Sequence, residues 1–290
     1  MSATNQNLLA ADTSMGAVTL RVANLDAMTA YYRDAIVLEV LDAAGPTVTL
    51  GRAGRPVVIL EHSPELKHAS PRDAGLFHTA ILFESEVALA ASVYSVAQKY
   101  PNTFTGSSDH LVSKAFYFND PENNGVELYW DRDRADWSWA HGSIEMSTLF
   151  LDPNLFLQEN LTQEAVDAPS IGGASVGHIH LQVGDIPSAR EFYVNQLGFE
   201  QTTTYGDQAL FVSAGGYHHH MAMNTWNSKG AGPRKLALGL GRVDIAVPTA
   251  DDLGALGERL THFGVQTRDD GKSVSFDDPW SNPIHVTTTH

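Results

Sequence analysis

VANLDAMTAYYRDAIVLE, residues 22–39, and VGDIPSAREFYVNQLGFE, residues 183–200, are two copies of one pattern, and that repeat decides the fold. Val22 matches Val183, Leu25 matches Ile186, and the aromatic pair Tyr31-Tyr32 matches Phe192-Tyr193. Ile36 then matches Leu197 and Glu39 matches Glu200 at the same offset. The offset also lays AGRPVVILEH, from Ala53, onto AGGYHHHMAM, from Ala214. His218, His219 and His220 therefore take the places of Val57, Val58 and Ile59. A second pair of segments matches too: FNDPENNGVELY from Phe118 and FDDPWSNPIHVT from Phe276. Self-similarity of this kind marks one supersecondary unit used repeatedly.

Four units follow, at 16–62, 76–131, 176–224 and 238–288. Each opens with a short alternating strand, continues as an amphipathic helix, and ends in strands joined by Gly, Pro and Asn turns. The expected architecture is α+β, built from four βαβββ modules. The expected domains are an N-terminal pair of modules (16–131), a connection (132–172) and a C-terminal pair (173–290). WSWAHG, 137–142, is a candidate ordered part of the connection.

Strand, helix and three strands, used four times, is similar to the vicinal oxygen chelate (glyoxalase/bleomycin resistance/dioxygenase) superfamily over nearly the whole chain. The chain most resembles type I extradiol dioxygenases of the catechol 2,3-dioxygenase-like kind. GHIHLQVGDIPSAREFYVNQLGF, FVSAGGYHHHMAMN, GLFHTAILF and DHLVSKAFYFNDPENNGVELYWDR carry the resemblance. The first stretch identifies only the module. The histidine run with DHLVS and NNGVEL is the more specific signal.

Composition narrows the chemistry. Formal net charge is −16, from 34 acidic against 18 basic residues, which excludes a phosphate-backbone partner needing a basic face. No cysteine is present, so thiolate nucleophiles and sulfur-ligated metals are excluded, and a metal must bind through nitrogen and oxygen. MSATNQNLLAADTSMG lacks the basic and apolar regions of a secretory signal. No run approaches the ~18 apolar residues of a membrane span. A soluble cytoplasmic protein is the expectation.

Strand residues alternate between faces. In the third unit's first strand, Ile179, Leu181 and Val183 pack against the helix, while His178, His180 and Gln182 point into the space the sheet encloses. In the second unit, Phe77, Thr79, Ile81 and Phe83 pack and His78 points inward. In that unit's last strand Glu127 and Tyr129 point inward. The equivalent first-strand position holds Ala17, His78, His178 and Arg242 in the four units, and the last strands of the even units hold Glu127 and His285. Two imidazoles and one carboxylate form the facial triad of non-haem Fe(II) oxygenases. The resemblance places metal ligands at the same positions, His78, His178 and Glu127. A complete triad requires modules 2 and 3 to share one barrel and modules 1 and 4 to close a second, without a metal.

The resemblance implies Fe(II)-dependent ring cleavage of catechol or a substituted catechol by dioxygen, with Mn(II) as an alternative metal. It assigns catalytic roles to His220 and His110, with Tyr117 as a further hydrogen-bonding candidate. Alternation along the histidine run sends His218 and His220 toward the cavity and His219 onto the packed side. His218, Tyr129 and His180 are then candidates for lining the substrate. A glyoxalase-like isomerase or lyase on Zn(II) or Ni(II) is the first alternative, and a non-catalytic ligand-sequestering module the second. Superfamily relatives often associate, so a homo-oligomer is compatible with the resemblance.

Overall fold

A computed structural model describes residues 8–140 and 143–289; His141 and Gly142 of WSWAHG, the first seven residues and His290 lie outside them. Module 1 comprises β1 (Ser14–Val22), α1 (Leu25–Ala30), β2 (Glu39–Ala44), β3 (Thr47–Arg52) and β4 (Arg55–His62). Module 2 comprises β5 (Gly75–Phe83), α2 (Glu86–Lys99), β6 (Phe104–Asp109), β7 (Ser113–Asn119) and β8 (Gly125–Asp131). The connection holds β9 (Trp139–Ala140), β10 (Ser143–Ile144), β11 (Leu149–Phe150), α3 (Pro153–Asn160) and α4 (Gln163–Asp167). Module 3 comprises β12 (Ala174–Gln182), α5 (Ile186–Arg190), β13 (Glu200–Tyr205), β14 (Ala209–Ser213) and β15 (Met221–Asn224). Module 4 comprises β16 (Gly239–Val247), α6 (Ala250–His262), β17 (Arg268–Asp269), β18 (Ser273–Asp277) and β19 (Pro283–Thr288).

Local sequence explains where each module turns from strand to helix. Asn24, Ser85, Asp185 and Thr249 end the first strands, and each side chain accepts the backbone N–H three residues on. Short polar side chains satisfy helix-start donors that the helix itself leaves unpaired. In the two matched modules the helix widens into a π turn, Tyr31–Ala35 and Glu191–Gln196, which buries both members of each aromatic pair. The second member reaches into the following module: Tyr32 donates to Asp120 Oδ2 at 3.1 Å, and Tyr193 to Asp278 Oδ2 at 2.8 Å. Each aspartate is held in its Asp-Pro turn by the amide of Asn124 or Asn282.

Modules 2 and 3 share a nine-stranded sheet ordered β11-β6-β7-β8-β5-β12-β15-β14-β13, and modules 4 and 1 share an eight-stranded sheet ordered β17-β18-β19-β16-β1-β4-β3-β2. The pairing required by a complete triad is thus the one observed, and each sheet takes one module from each half of the chain. The seam of the larger sheet is the antiparallel pair β5–β12, which sets His178 opposite Ala80 and His180 opposite His78. Parallel β5–β8 pairing sets Ala80 beside Glu127, and β7 continues the row with Tyr117 opposite Glu127. The row His178, Ala80, Glu127, Tyr117 therefore crosses four strands.

The helices pack on one continuous apolar cluster that includes Ile81, Phe83, Leu89, Val93, Leu128, Val176, Leu181 and Met221. Phe77 departs from its expected place in that layer. Its ring stands 5.0 Å from His180 and 5.2 Å from Trp226, on the histidine side of the sheet. The connection is tied down by buried Arg52, which donates to the carbonyls of Pro169, Ile171 and Gly172.

Close approach forces the glycine at position 177. The β5–β12 register slips between Val176 and His178, and a Cβ on the intervening Gly177 would fall 1.7 Å from Tyr129 Oη. Gly177→Ala is expected to cost about 1–3 kcal/mol, as overpacking does, with Tyr129→Phe restoring part of the loss. Urea unfolding of the two single variants and the double variant checks this; an unchanged midpoint in Gly177→Ala would refute the close packing.

Candidate metal centre

Three donors meet over Ala80, whose small side chain leaves the space above the seam open. His78 Nε2 lies 2.9 Å from Glu127 Oε2, His178 Nε2 lies 3.1 Å from the same oxygen, and the two Nε2 atoms are 3.4 Å apart. All three residues are buried. A metal with bonds of about 2.1 Å and right-angle geometry needs donor atoms about 3.0 Å apart, so these separations fit one face of an octahedron. The donor chemistry fits as well. Burial, ahead of the neighbouring charges, pushes His178 down to about 4, leaving a neutral imidazole with a lone pair. Burial alone would raise Glu127, but its interactions with the adjoining His178 and His78 imidazoles, hydrogen bonds among them, outweigh it and hold the carboxyl well below its usual range. Ionised glutamate between two imidazoles is a ligand set for a hard to borderline divalent cation.

The surrounding residues form two arms. On one side, His110 Nδ1 faces the Ser147 carbonyl at 2.7 Å and so carries a proton; its Nε2 then accepts from Tyr117 Oη, also at 2.7 Å. Burial, followed by the negative charge of Glu127, pushes the Tyr117 hydroxyl well above the phenol range, so it stays a donor. On the other side, His218 Nδ1 and His219 Nδ1 are 2.8 Å apart, and the His219 ring lies 4.1 Å from that of His178. His180 lies against His78 at 4.9 Å and shares a 3.0 Å hydrogen bond with Asn224. Tyr129, inside as expected, bonds Tyr217 at 2.7 Å and stands 5.0 Å from His178.

The histidine run is not a strand, and this corrects the expected division of its rings. Strand β15 begins only at Met221, after Gly215 and Gly216 turn the chain with φ of 61° and 68°. Alternation therefore does not govern 217–220. His219, expected on the packed side, is the ring beside His178. His220, expected beside the metal, turns away: its Nδ1 accepts from the Ala214 N–H at 3.2 Å, and its ring packs 4.9 Å from Tyr217 and 6.3 Å from Phe199. His218 keeps its place near the site, 6.0 Å from His178. Residues that the sequence reading did not place at the site are Phe77, expected in the packed layer, and Ala80, Asp131, Tyr217, Asn224 and Trp226. Of these only Ala80 had a readable signal, as a small residue on the inward face two positions after His78.

A family model for the glyoxalase/bleomycin resistance protein/dioxygenase superfamily matches residues 175–286. The chain is 33% identical over 275 residues to catechol-2,3-dioxygenase of Bacillus subtilis strain 168, covering 93% of this chain and 95% of that protein. Among solved structures, a candidate dioxygenase from Bacillus subtilis superposes with a TM-score of 0.63 at 13% identity, covering 95% of this chain and 84% of that one. Glyoxalase I from Zea mays superposes with a TM-score of 0.56 at 14% identity, covering 96% and 92%. These two superpositions speak for the fold alone.

Acid should destabilise the metal-free protein through its buried neutral histidines. His178 is near 6.5 when unfolded and about 4 when folded, so its contribution is intact above pH 6.5 and is lost as pH falls toward 4. The loss from this one group is expected to reach about 3 kcal/mol. Urea midpoints of chelator-treated protein between pH 7.5 and 4.5 should fall, with a shallower slope in His178→Gln. A flat profile would show that these imidazoles are not held neutral. By sequence, fold and the residues gathered at its centre, the chain belongs to the vicinal oxygen chelate superfamily and stands with its catechol-2,3-dioxygenase-like members.

Proposed function

We propose that this protein is an Fe(II)-dependent extradiol dioxygenase acting on catechol or a substituted catechol. The observation that carries the reading is the convergence of His78, His178 and Glu127 on one face of a shared sheet, with protonatable residues on both flanks. The name of the Bacillus subtilis relative points the same way. In the reaction, the ring carbon–carbon bond beside the diol breaks and both atoms of dioxygen enter the product. A ferrous ion held by His78, His178 and Glu127 would supply the binding of a vicinal diol together with dioxygen.

The remaining residues bind, orient and move protons. His219 accepts the proton of a diol hydroxyl: burial, then the charges of neighbouring histidines, keep it well below its ordinary value, so its lone pair is available. Tyr117 and His110 form the opposite flank, where a hydroxyl donor beside Glu127 can orient a diol oxygen or return a proton. His180, Phe77 and Trp226 form a wall of ring faces and edges suited to a flat aromatic substrate. One carboxylate only enters the triad among the described residues, which favours this reading over an isomerase with a second carboxylate ligand.

Protein purified without oxygen and loaded with Fe(II) or Mn(II) should consume dioxygen on addition of catechols and form the coloured ring-fission product. His219→Gln is expected to lower kcat by about 100-fold, the scale of a lost general base, while His220→Gln stays within about three-fold. Absence of oxygen uptake across a panel of catechols would sink the reading. A Glu127→Ala protein that still holds iron and turns over would sink the site.

A further inference from the structure

Asp131 lies four residues beyond Glu127 at the end of β8, at the wall of a cavity of about 480 Å³ shared with Arg52 and Glu84. Its carboxylate can only accept hydrogen bonds. Oδ2 accepts from Tyr217 Oη at 2.7 Å, and Oδ1 lies 2.9 Å from His218 Nε2, which must therefore carry a proton. In the tautomer that carries its single ring proton there, His218 presents a bare Nδ1. The atom facing it at 2.8 Å is His219 Nδ1, which must donate. With its proton on Nδ1, His219 has an unprotonated Nε2, and its ring is held 4.1 Å from that of His178.

We infer that Asp131, acting through His218, fixes the tautomer and orientation of His219, and is a positioning residue for the base of the proposed reaction. The role in catalysis rests on the dioxygenase reading; the hydrogen-bond polarity does not. His218 and His219 are only 1% and 5% exposed, so water does not compete for the bond between the two rings, while Asp131 meets His218 from the cavity wall. Tyr217 fixes the other carboxylate oxygen, and Trp137 packs 5.4 Å from the His218 ring, so the connection between the two halves helps to hold the relay in place.

The test reads the tautomer directly. In metal-free protein labelled with ¹⁵N-histidine, long-range proton–nitrogen correlations, assigned by the signals lost in His219→Gln, should place the His219 proton on Nδ1. Asp131→Leu should blur that signature into a mixture. It should also lower kcat of the Fe(II)-loaded enzyme by about ten-fold or more, with KM for catechol within about two-fold, as expected for a misplaced general base. His218→Gln offers an amide N–H to Asp131 and an amide oxygen to His219, so it should preserve the tautomer signature, whereas His218→Leu should lose it and lower kcat as Asp131→Leu does. A His219 proton on Nε2 in the unaltered protein would overturn the inference. So would an Asp131→Leu or His218→Leu enzyme that keeps both signature and kcat. If Asp131→Leu does not fold, the His218→Gln and His218→Leu pair decides. Should the unaltered enzyme consume no oxygen with any catechol, the dioxygenase reading fails, while the nitrogen spectra still decide the polarity.

Discussion

Burial of Glu127 between two imidazoles is the constraint around which the larger sheet is organised. A buried carboxylate is costly unless cations or hydrogen-bond donors surround it. Here its neighbours are His78 and His178, and burial drives His178 to the neutral form that donates no net charge. A divalent ion resolves that conflict better than any side chain present. It neutralises the carboxylate and uses both imidazole lone pairs, and the donor spacings of 2.9, 3.1 and 3.4 Å leave room for one ion. Much of the rest of the sheet follows from the need to bring three residues from two halves of the chain to one point. Antiparallel pairing of β5 with β12 supplies the histidines, and parallel pairing of β5 with β8 supplies the carboxylate.

Small residues make that convergence sterically feasible. Ala80 sits between His178 and Glu127 in the lateral row, where a larger inward side chain would occupy the position of the ion. Gly177 yields its side-chain volume to the Tyr129 hydroxyl, which anchors the Tyr217–Asp131 arm. A third close approach occurs at Gly125, where a Cβ would lie 2.2 Å from the Phe77 carbonyl oxygen. That contact lets β8 run close alongside β5 at the level of His78.

Much of this was legible before any coordinates. The internal repeat revealed the module, and the inward parity of His78, His178 and Glu127 required modules 2 and 3 to come together. What could not be read was the loop before β15. In module 1 the matched segment AGRPVVILEH is strand from Arg55 to His62, and parity transfers only if both copies share backbone conformation. Gly216 stands where module 1 has Arg55, and with Gly215 it adopts a left-handed conformation that an ordinary strand does not use. The tandem glycine was the available signal that alternation would fail. Asp131 and Tyr217 were invisible for another reason. Their roles arise from hydrogen bonds across 86 and 87 positions of sequence, which no local pattern encodes.

The smaller sheet shows how the same module behaves when the site is absent. Arg242 occupies the ligand position and turns its guanidinium onto Asp244, at 2.6 and 3.1 Å. His285, at the carboxylate position, bonds Ser275 at 2.8 Å. In this half the two positions are engaged instead in an internal ion pair and a serine–histidine hydrogen bond. What both halves retain is the tyrosine–aspartate contact, Tyr32 to Asp120 and Tyr193 to Asp278, each running from the helix of one module to the turn of the next. Sheet pairing crosses between halves, while these buried contacts bind consecutive modules within each half. The two sets of interactions interlock. Glu127 follows directly on the turn that Tyr32 and Asn124 hold, so the module without candidate ligands fixes the strand that delivers the carboxylate to the candidate metal site.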